Sequence, residues 1–500
     1  MRRYTIRVHP SADRLPPRQQ LAYRLALAAA ARPPLDDRAV ATAIDRIIDD
    51  AAVAIAAIER HPVAAARAQA FAHPRERGAT IFGAGDARFE CEWAAWANGV
   101  AVRELDFHDT YLAADYGHPA DAIPPLLAVA QQTRTRGEDL LRATLTSYEI
   151  HVALIRAISL HAHKIDHIAH LAPAVAAGLG TLLRLEPEVT FHAIGHALHV
   201  TTTTRQSRKG EISSWKAYAP AFAGKAAIEA IDRAMRGETS PSPIYEGEDG
   251  VIAWLLDGPE GRYEITLPSD DEPRRAILET YTKAHSAEYQ AQGLIDLALR
   301  VRGRIGDVGR IERIVLHTSH HTHTVIGSGS NDPQKYDPDA SRETLDHSAP
   351  YMFAVALEDG AWHHERSFAS ERTHQPTTIR LWRTIVTEED PEWTARYHAD
   401  DPRLRAFGAR VTIVLDDGRE IRDELGVADA HPNGARPFAR ADYLRKFATL
   451  TEDFVEPAEA RRFLDVVQRT AALDGDGVAA LTLRCLPGIL ERTPVAKGIF

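Results

Sequence analysis

Cysteine is almost missing from these 500 residues: Cys91 and Cys485 are the only two, and they stand far apart in the chain. Two thiols make no disulfide framework and are too few to hold a four-iron cluster within one chain. Long apolar runs are missing too. No window reaches the roughly 18 uninterrupted apolar residues of a membrane span, and the basic start, Met1 to Pro10, is not followed by one. Positive charge is in deficit, with 59 Lys and Arg against 70 Asp and Glu and a net charge of -11. That balance argues against nucleic acid as partner, because phosphate binding needs concentrated cations. A small anion is not excluded, since a local cation cluster can bind a carboxylate inside an acidic protein. What is present, 44% apolar and 26% charged residues, describes a globular chain with a sizeable core, expected in the cytoplasm, with two domains or one core and a subdomain.

The first half reads as helix. Ile44, Ile47, Ile48, Ala51, Ile55 and Ile58 form one apolar stripe, with Pro33, Pro34, Asp36 and Asp37 marking its start. Phe89 to Val102 continues as helix, with Trp93 and Trp96 as core aromatics, and Leu140 to His161 follows. In Ile168 to Leu185 the small residues Ala172, Ala174, Ala176, Ala177, Gly178 and Gly180 predict close packing against neighbouring helices. Trp215 to Gly237 is a further long helix, and up to about Asp270 hardly a strand is expected. After Pro273 the pattern changes. Ile311 to Thr318 alternates like a strand, and Val411 to Leu415, Asp416-Asp-Gly and Arg419 to Ile421 read as a hairpin, with helical stretches near Ser286 to Arg300 and Tyr351 to Glu358. From Asp442 to Leu490 amphipathic helix returns. The expected fold is mainly α: an all-helical domain built from both ends of the chain, residues 1–272 and 438–500, with an inserted α+β lid domain, residues 273–437.

Chemistry concentrates in one stretch. From Leu105 to Pro125 the chain packs Asp106, His108, Asp109, Thr110, Asp115, His118 and Asp121 ahead of the apolar run Leu126 to Ala130. Asp106 and Thr110 share a face if the segment is helical, while Gly117 and Pro119 hold His118 in a turn. A polar helix cap and a catalytic loop both fit that pattern. Four other places carry candidates. Asp166 and His167 precede the small-residue helix, and Lys216 sits at a helix start, where the macrodipole disfavours a cation unless an anion shares the site. Lys283, His285 and Glu288 cluster at the domain junction. Tyr351, after Asp346-His-Ser-Ala-Pro, is either a core aromatic or a proton donor.

The stretch Leu-Asp-Phe-His-Asp-Thr-Tyr-Leu-Ala-Ala-Asp-Tyr-Gly-His-Pro resembles the active-site loop of the MmgE/PrpD family, and most closely its 2-methylcitrate dehydratase branch. The segment Ser286 to Gln292 is similar to that branch as well, and the resemblance runs from about Gln19 to Leu490. The runs Thr201 to Glu211 and Gly327 to Ala340 depart from the family pattern. The resemblance implies dehydration of a tricarboxylate, 2-methylcitrate, to 2-methyl-cis-aconitate in propionate catabolism, without a cofactor, by a homodimer. It places Asp106, His118, His167 and Tyr351 in catalytic roles and Thr110, Lys216 and Lys283 at the substrate, where His285, beside Lys283 at the domain junction, is expected as well. In that scheme His118 moves the proton with Asp106 fixing its orientation, and Arg205 or Arg436 adds to the cations that neutralise the substrate.

Two alternatives stay open. One is another polycarboxylate lyase or isomerase of the same fold, such as a cis-aconitate decarboxylase. The other is a metal-binding helical protein built on His192, His196 and His199, or on His317, His320, His321 and His323. The first histidine run has ligand spacing but lacks the glutamate of a zinc-protease motif, which favours the reading without metal.

Overall fold

The computed structural model describes residues 1–399, 401 and 403–500, and the chain is mainly helical. Asp36 caps the long helix Asp37–Ala56, its carboxylate accepting from the Ala39 amide at 3.0 Å, and the isoleucine stripe predicted there is buried. Every residue of the helix Ile168–Leu182 is buried. A Cβ on Gly178 would lie 3.0 Å from Ser147 Cβ and 3.1 Å from the Ala143 carbonyl oxygen, so the neighbouring helix Gly137–Ala157 approaches as closely as the small residues imply. These helices share one hydrophobic core with Cys91–Glu104, Ile123–Thr133 and Trp215–Met235. The late helices Arg440–Thr451 and Pro457–Val467 join that core through Phe447 and Phe463.

A second core gathers around a four-stranded sheet in the order Ile385–Glu389, Ile311–Thr318, Ala409–Leu415, Glu420–Leu425. The first pair is parallel and the others antiparallel. The hairpin turns at Asp416-Asp417-Gly418, where Gly418 takes a φ of +80°, a conformation glycine adopts without steric cost. Helices Tyr289–Arg302 and Ala349–Asp359 pack in the same core. Among the described residues no helix is long and apolar enough to cross a membrane.

Two expectations need correction. The first 270 residues do contain strands: Arg2–Arg7 pairs antiparallel with Arg262–Leu267, burying Ile6, Ile265 and Leu267. Their partners lie about 260 residues apart in sequence, which no local pattern reveals. The stretch after Glu104 is also not helical. The helix Cys91–Glu104 ends there, and Asp106 takes a φ of +48°, so Asp106 and Thr110 share no helix face.

Candidate active site

Asp106 is the node of the site. Its Oδ1 accepts from Arg103 Nη1 at 2.5 Å and from Lys283 Nζ at 2.5 Å, and its Oδ2 lies 3.2 Å from Lys216 Nζ. All four side chains are buried. Each cation arrives from a different element. Arg103 stands on the last turn of the helix that ends before Asp106. Lys216 is the second residue of the helix Trp215–Met235, and the anion that its position calls for is Asp346, which it meets at 2.6 and 2.7 Å. Lys283 is delivered by a backbone bridge two residues earlier, where Thr110 and Tyr281 exchange amide hydrogen bonds of 2.9 and 2.7 Å.

With Arg342, which lies 3.4 Å from Asp346, four cations thus meet two carboxylates in a space shut off from water. Burial alone would raise the Asp106 pKa, but Arg103, Lys216 and Lys283 outweigh it and hold the carboxyl well below its usual range. Asp346 is likewise depressed, burial being outweighed by Lys216 and His347. Burial lowers Lys283, with Asp106 opposing. Arg103, Lys216, Lys283 and Arg342 against Asp106 and Asp346 leave the cluster with a surplus of positive charge, which suits a site for an anion.

His118 faces this cluster. Its Nδ1 is 2.8 Å from the Asp109 carbonyl oxygen, which can only accept, so the proton sits on Nδ1 and the lone pair on Nε2. Arg103 Nη2 donates to that Nε2 at 3.1 Å. Burial, then the charges of Arg103 and Lys283, push the His118 pKa well below the usual histidine value, so the ring is a free base at neutral pH. The orientation of His118 therefore comes from the Asp109 carbonyl. Asp106 makes no hydrogen bond to the ring; it acts on it by its charge and through Arg103, which bridges the two. Asp109 is itself held firmly, its carboxylate accepting from Tyr148 at 2.8 Å and from the Ala120 amide at 3.0 Å.

His167 stands edge-on to His118, with ring centroids 5.5 Å apart. Its Nε2 accepts from Arg208 Nη2 at 3.2 Å, and burial, with Asp166 opposing and Arg208 assisting, lowers its pKa to about 3. Arg103, Asp106, Thr110, His118, His167, Arg205, Arg208, Glu288 and His347 all line one cavity of about 30 Å³. The Thr110 hydroxyl donates within its own loop, to the Gly117 carbonyl oxygen at 3.0 Å. Glu288 caps the helix Tyr289–Arg302 by accepting from the Gln290 amide at 2.7 Å, and burial, against the pull of Lys283, raises its pKa to about 7.

Two sequence candidates fall elsewhere. The Tyr351 hydroxyl donates to the Ser367 carbonyl oxygen at 2.5 Å, its ring packs on Trp382 with centroids 4.8 Å apart, and it does not line the cavity. Tyr351 is a core aromatic with a satisfied hydroxyl. His285 pairs with Asp296 at 2.8 Å, also away from the cavity. Arg436 pairs with Asp429 instead of reaching the site, whereas Arg205 does line it. Sequence reading gave no role to Arg103, Arg208, Glu288 or Asp346. The signal available for Asp346 was its place five residues before Tyr351; for Arg103 it was three residues before Asp106.

Two sets of three donor atoms lie close enough to share a metal ion: Asp106, His108 and His118, and Asp106, Asp346 and His347. In both, protein cations already take the carboxylate oxygens, and Lys216 Nζ bridges Asp346 and Asp106 as a divalent ion would. The other histidine runs have different partners: His192 lies 3.3 Å from Ser240, His320 2.8 Å from Glu389, and His323 2.7 Å from Thr387.

The chain is 26% identical over 412 residues to the probable 2-methylcitrate dehydratase of Saccharomyces cerevisiae, covering 76% of each chain. It is 25% identical over 350 residues to the 2-methylcitrate dehydratase of Salmonella typhimurium, covering 65% of this chain and 68% of that one. To the enzyme of the same name from Cupriavidus necator it is 27% identical over 351 residues, covering 66% and 69%. Residues 20–264 match the MmgE/PrpD N-terminal domain and residues 285–472 the MmgE/PrpD C-terminal domain. These two matches take in most of the sequence, and the chain belongs to the MmgE/PrpD family.

Proposed function

We propose that this protein is a 2-methylcitrate dehydratase of the methylcitrate cycle, working by side-chain acid/base catalysis without an iron–sulfur cluster. The observation that carries the reading is the convergence of Arg103, Lys216 and Lys283 on Asp106, next to a neutral His118 with its lone pair on Nε2. The relatives named 2-methylcitrate dehydratase support the choice of substrate. The two thiols support independence from a cluster: Cys91 and Cys485 are buried, away from the cavity, and burial raises both to about 12.

In this mechanism the cations hold the substrate carboxylates, and the surplus positive charge stabilises the charge that builds as the proton leaves carbon. His118 Nε2 takes that proton once the substrate draws Arg103 away from it. The electron pair forms the carbon–carbon double bond and the carbon–oxygen bond breaks. Glu288, protonated below about pH 7, gives its proton to the departing hydroxyl, which leaves as water. The proton on His118 then restores Glu288, so no external acid is consumed. The residues gathered around the sheet close the cleft from the other side, which we assign as the lid.

The pH profile tests the proton assignments. His118 is the free base across the neutral range, so it limits activity only on the acid side. Glu288 must be protonated, so kcat/KM falls as the pH rises through about 7. Glu288→Gln is expected to lose about 100-fold or more in kcat and to lose that alkaline limb. A wild-type kcat/KM that stays level well above neutral pH contradicts the role of Glu288. The reaction itself is tested by the product, which is one water lighter than 2-methylcitrate; release of carbon dioxide from cis-aconitate instead overturns the assignment.

A further inference from the structure

The inner cavity, at about 30 Å³, holds roughly one or two waters and no tricarboxylate. It continues outward into a second cavity of about 530 Å³, the two sharing Arg205, Arg208, His321 and Val325. The outer cavity lies between residues 161–209 on one side and 320–335 on the other. Its walls include both runs that depart from the family pattern. Five cations line it, Lys164, Arg205, Arg208, Lys209 and Lys335, against a single carboxylate, Asp332.

What distinguishes these cations from those of the inner site is that most lack an anion. Arg208 is paired with Asp166 at 3.2 Å. Among the described residues, no carboxylate forms an ion pair with Lys164, Arg205, Lys209 or Lys335. Lys335 is the telling case. It is only 4% exposed, and its ammonium donates to a neutral group, the His347 carbonyl oxygen, at 2.8 Å. A buried ammonium with no carboxylate in contact is costly, and burial lowers its pKa to about 8 against the opposing charges of Asp332, Asp346 and Glu288. Arg205 donates Nε to the Tyr116 hydroxyl at 3.1 Å and leaves the rest of its guanidinium to the cavity.

The rim is also fixed in place. Ser328 and Thr387 exchange hydrogen bonds, the Ser328 amide reaching Thr387 Oγ1 at 2.9 Å and its hydroxyl reaching the Thr387 carbonyl oxygen at 3.1 Å. Opposite, the Arg205 amide donates to the Lys164 carbonyl oxygen at 2.8 Å, and the Asp166 amide to Thr203 at 2.9 Å. Charges held unpaired on a preorganised wall are arranged for an anion that arrives from outside.

We propose that the outer cavity is a carboxylate subsite, in which Lys335 and Arg205 hold the substrate carboxylate farthest from the reacting carbons. The inference rests on the dehydratase reading of the inner site and adds to it that the substrate class is restricted to acids long enough to reach this wall. Two segments that depart from the family pattern would thereby set this enzyme's choice among polycarboxylates.

The test is calorimetric titration with tricarballylate, a tricarboxylate that has no hydroxyl to lose. Lys335→Met and Arg205→Met are each expected to bind it about 10- to 100-fold more weakly than the wild type, the effect of losing one charge-assisted contact. Unchanged affinity in both variants overturns the subsite, even for an enzyme that dehydrates 2-methylcitrate. The predicted weakening in a protein that dehydrates no tricarboxylate overturns the dehydratase reading and leaves the subsite standing. Arg205 is half-buried at the start of the single 3-10 turn Arg205–Arg208, so Arg205→Met decides the matter alone if Lys335→Met fails to fold.

Discussion

His118→Ala is expected to lower kcat about 100- to 10,000-fold, the range for removing one positioned acid or base, while the far-ultraviolet circular dichroism stays that of the wild type. The effect is large because nothing else in the cavity replaces the ring. His167 is near, but its Nε2 already accepts from Arg208, which Asp166 anchors at 3.2 Å. The fold is expected to survive because the loop has other anchors. Asp109 keeps its bonds to Tyr148 and Ala120, and Pro119 keeps the turn. The hydrogen bond that fixes the tautomer runs to a backbone carbonyl, which substitution leaves in place. A folded His118→Ala enzyme with wild-type kcat removes His118 from the mechanism.

Asp106→Asn carries the largest expected effect on stability. It leaves Arg103, Lys216 and Lys283 buried with Asp346 as their one remaining carboxylate partner in the cluster. Breaking a buried ion pair from one side costs about 3–5 kcal/mol, because the cost is mainly that of the stranded charge. Backbone strain does not explain such a loss, since Asn tolerates a φ of +48° as readily as Asp. The sequence alone leads one to expect Asp106→Asn to lose activity with its fold intact; the ion cluster changes that expectation to loss of both. Lys283→Met added to Asp106→Asn removes one stranded cation, so the double variant is expected to unfold at higher urea than the single one. The pH dependence has a definite sign. The folded pKa of Asp106 lies below the unfolded value of about 3.9, so its contribution is full above that pH and is lost as the pH falls through the depressed value. Equal urea midpoints for the wild type and Asp106→Asn at neutral pH contradict this account of the cluster.

Local pattern carried far into the fold where neighbours in sequence are neighbours in space. The isoleucine stripe of Asp37–Ala56, the small residues of Ile168–Leu182 and the Asp416-Asp417-Gly418 hairpin are all of that kind. The loop from Asp106 to His118 was legible for the same reason, and the structure brings Asp106, Thr110, His118 and His167 to one cavity. Partnerships across the chain were not legible. Asp106 meets Lys216 and Lys283 from more than a hundred residues away, and Lys216 meets Asp346 across 130. Tyr351 shows a different limit. A phenol that donates to a backbone carbonyl and one poised to protonate a substrate occupy the same place in a sequence, and only the Ser367 contact separates them. Glu288 stands close to Lys283 in the sequence, but its burial and raised pKa belong to the folded molecule.

The most direct measurement of the central claim is product formation from 2-methylcitrate by enzyme dialysed against a chelator and assayed with the chelator present. Appearance of absorbance from the new conjugated double bond, with a product one water lighter and a rate equal to that of the undialysed enzyme, is the predicted result. Loss of dehydration on dialysis, with recovery when a divalent metal or iron is returned, contradicts the assignment of this chemistry to His118, Glu288 and the cations around Asp106.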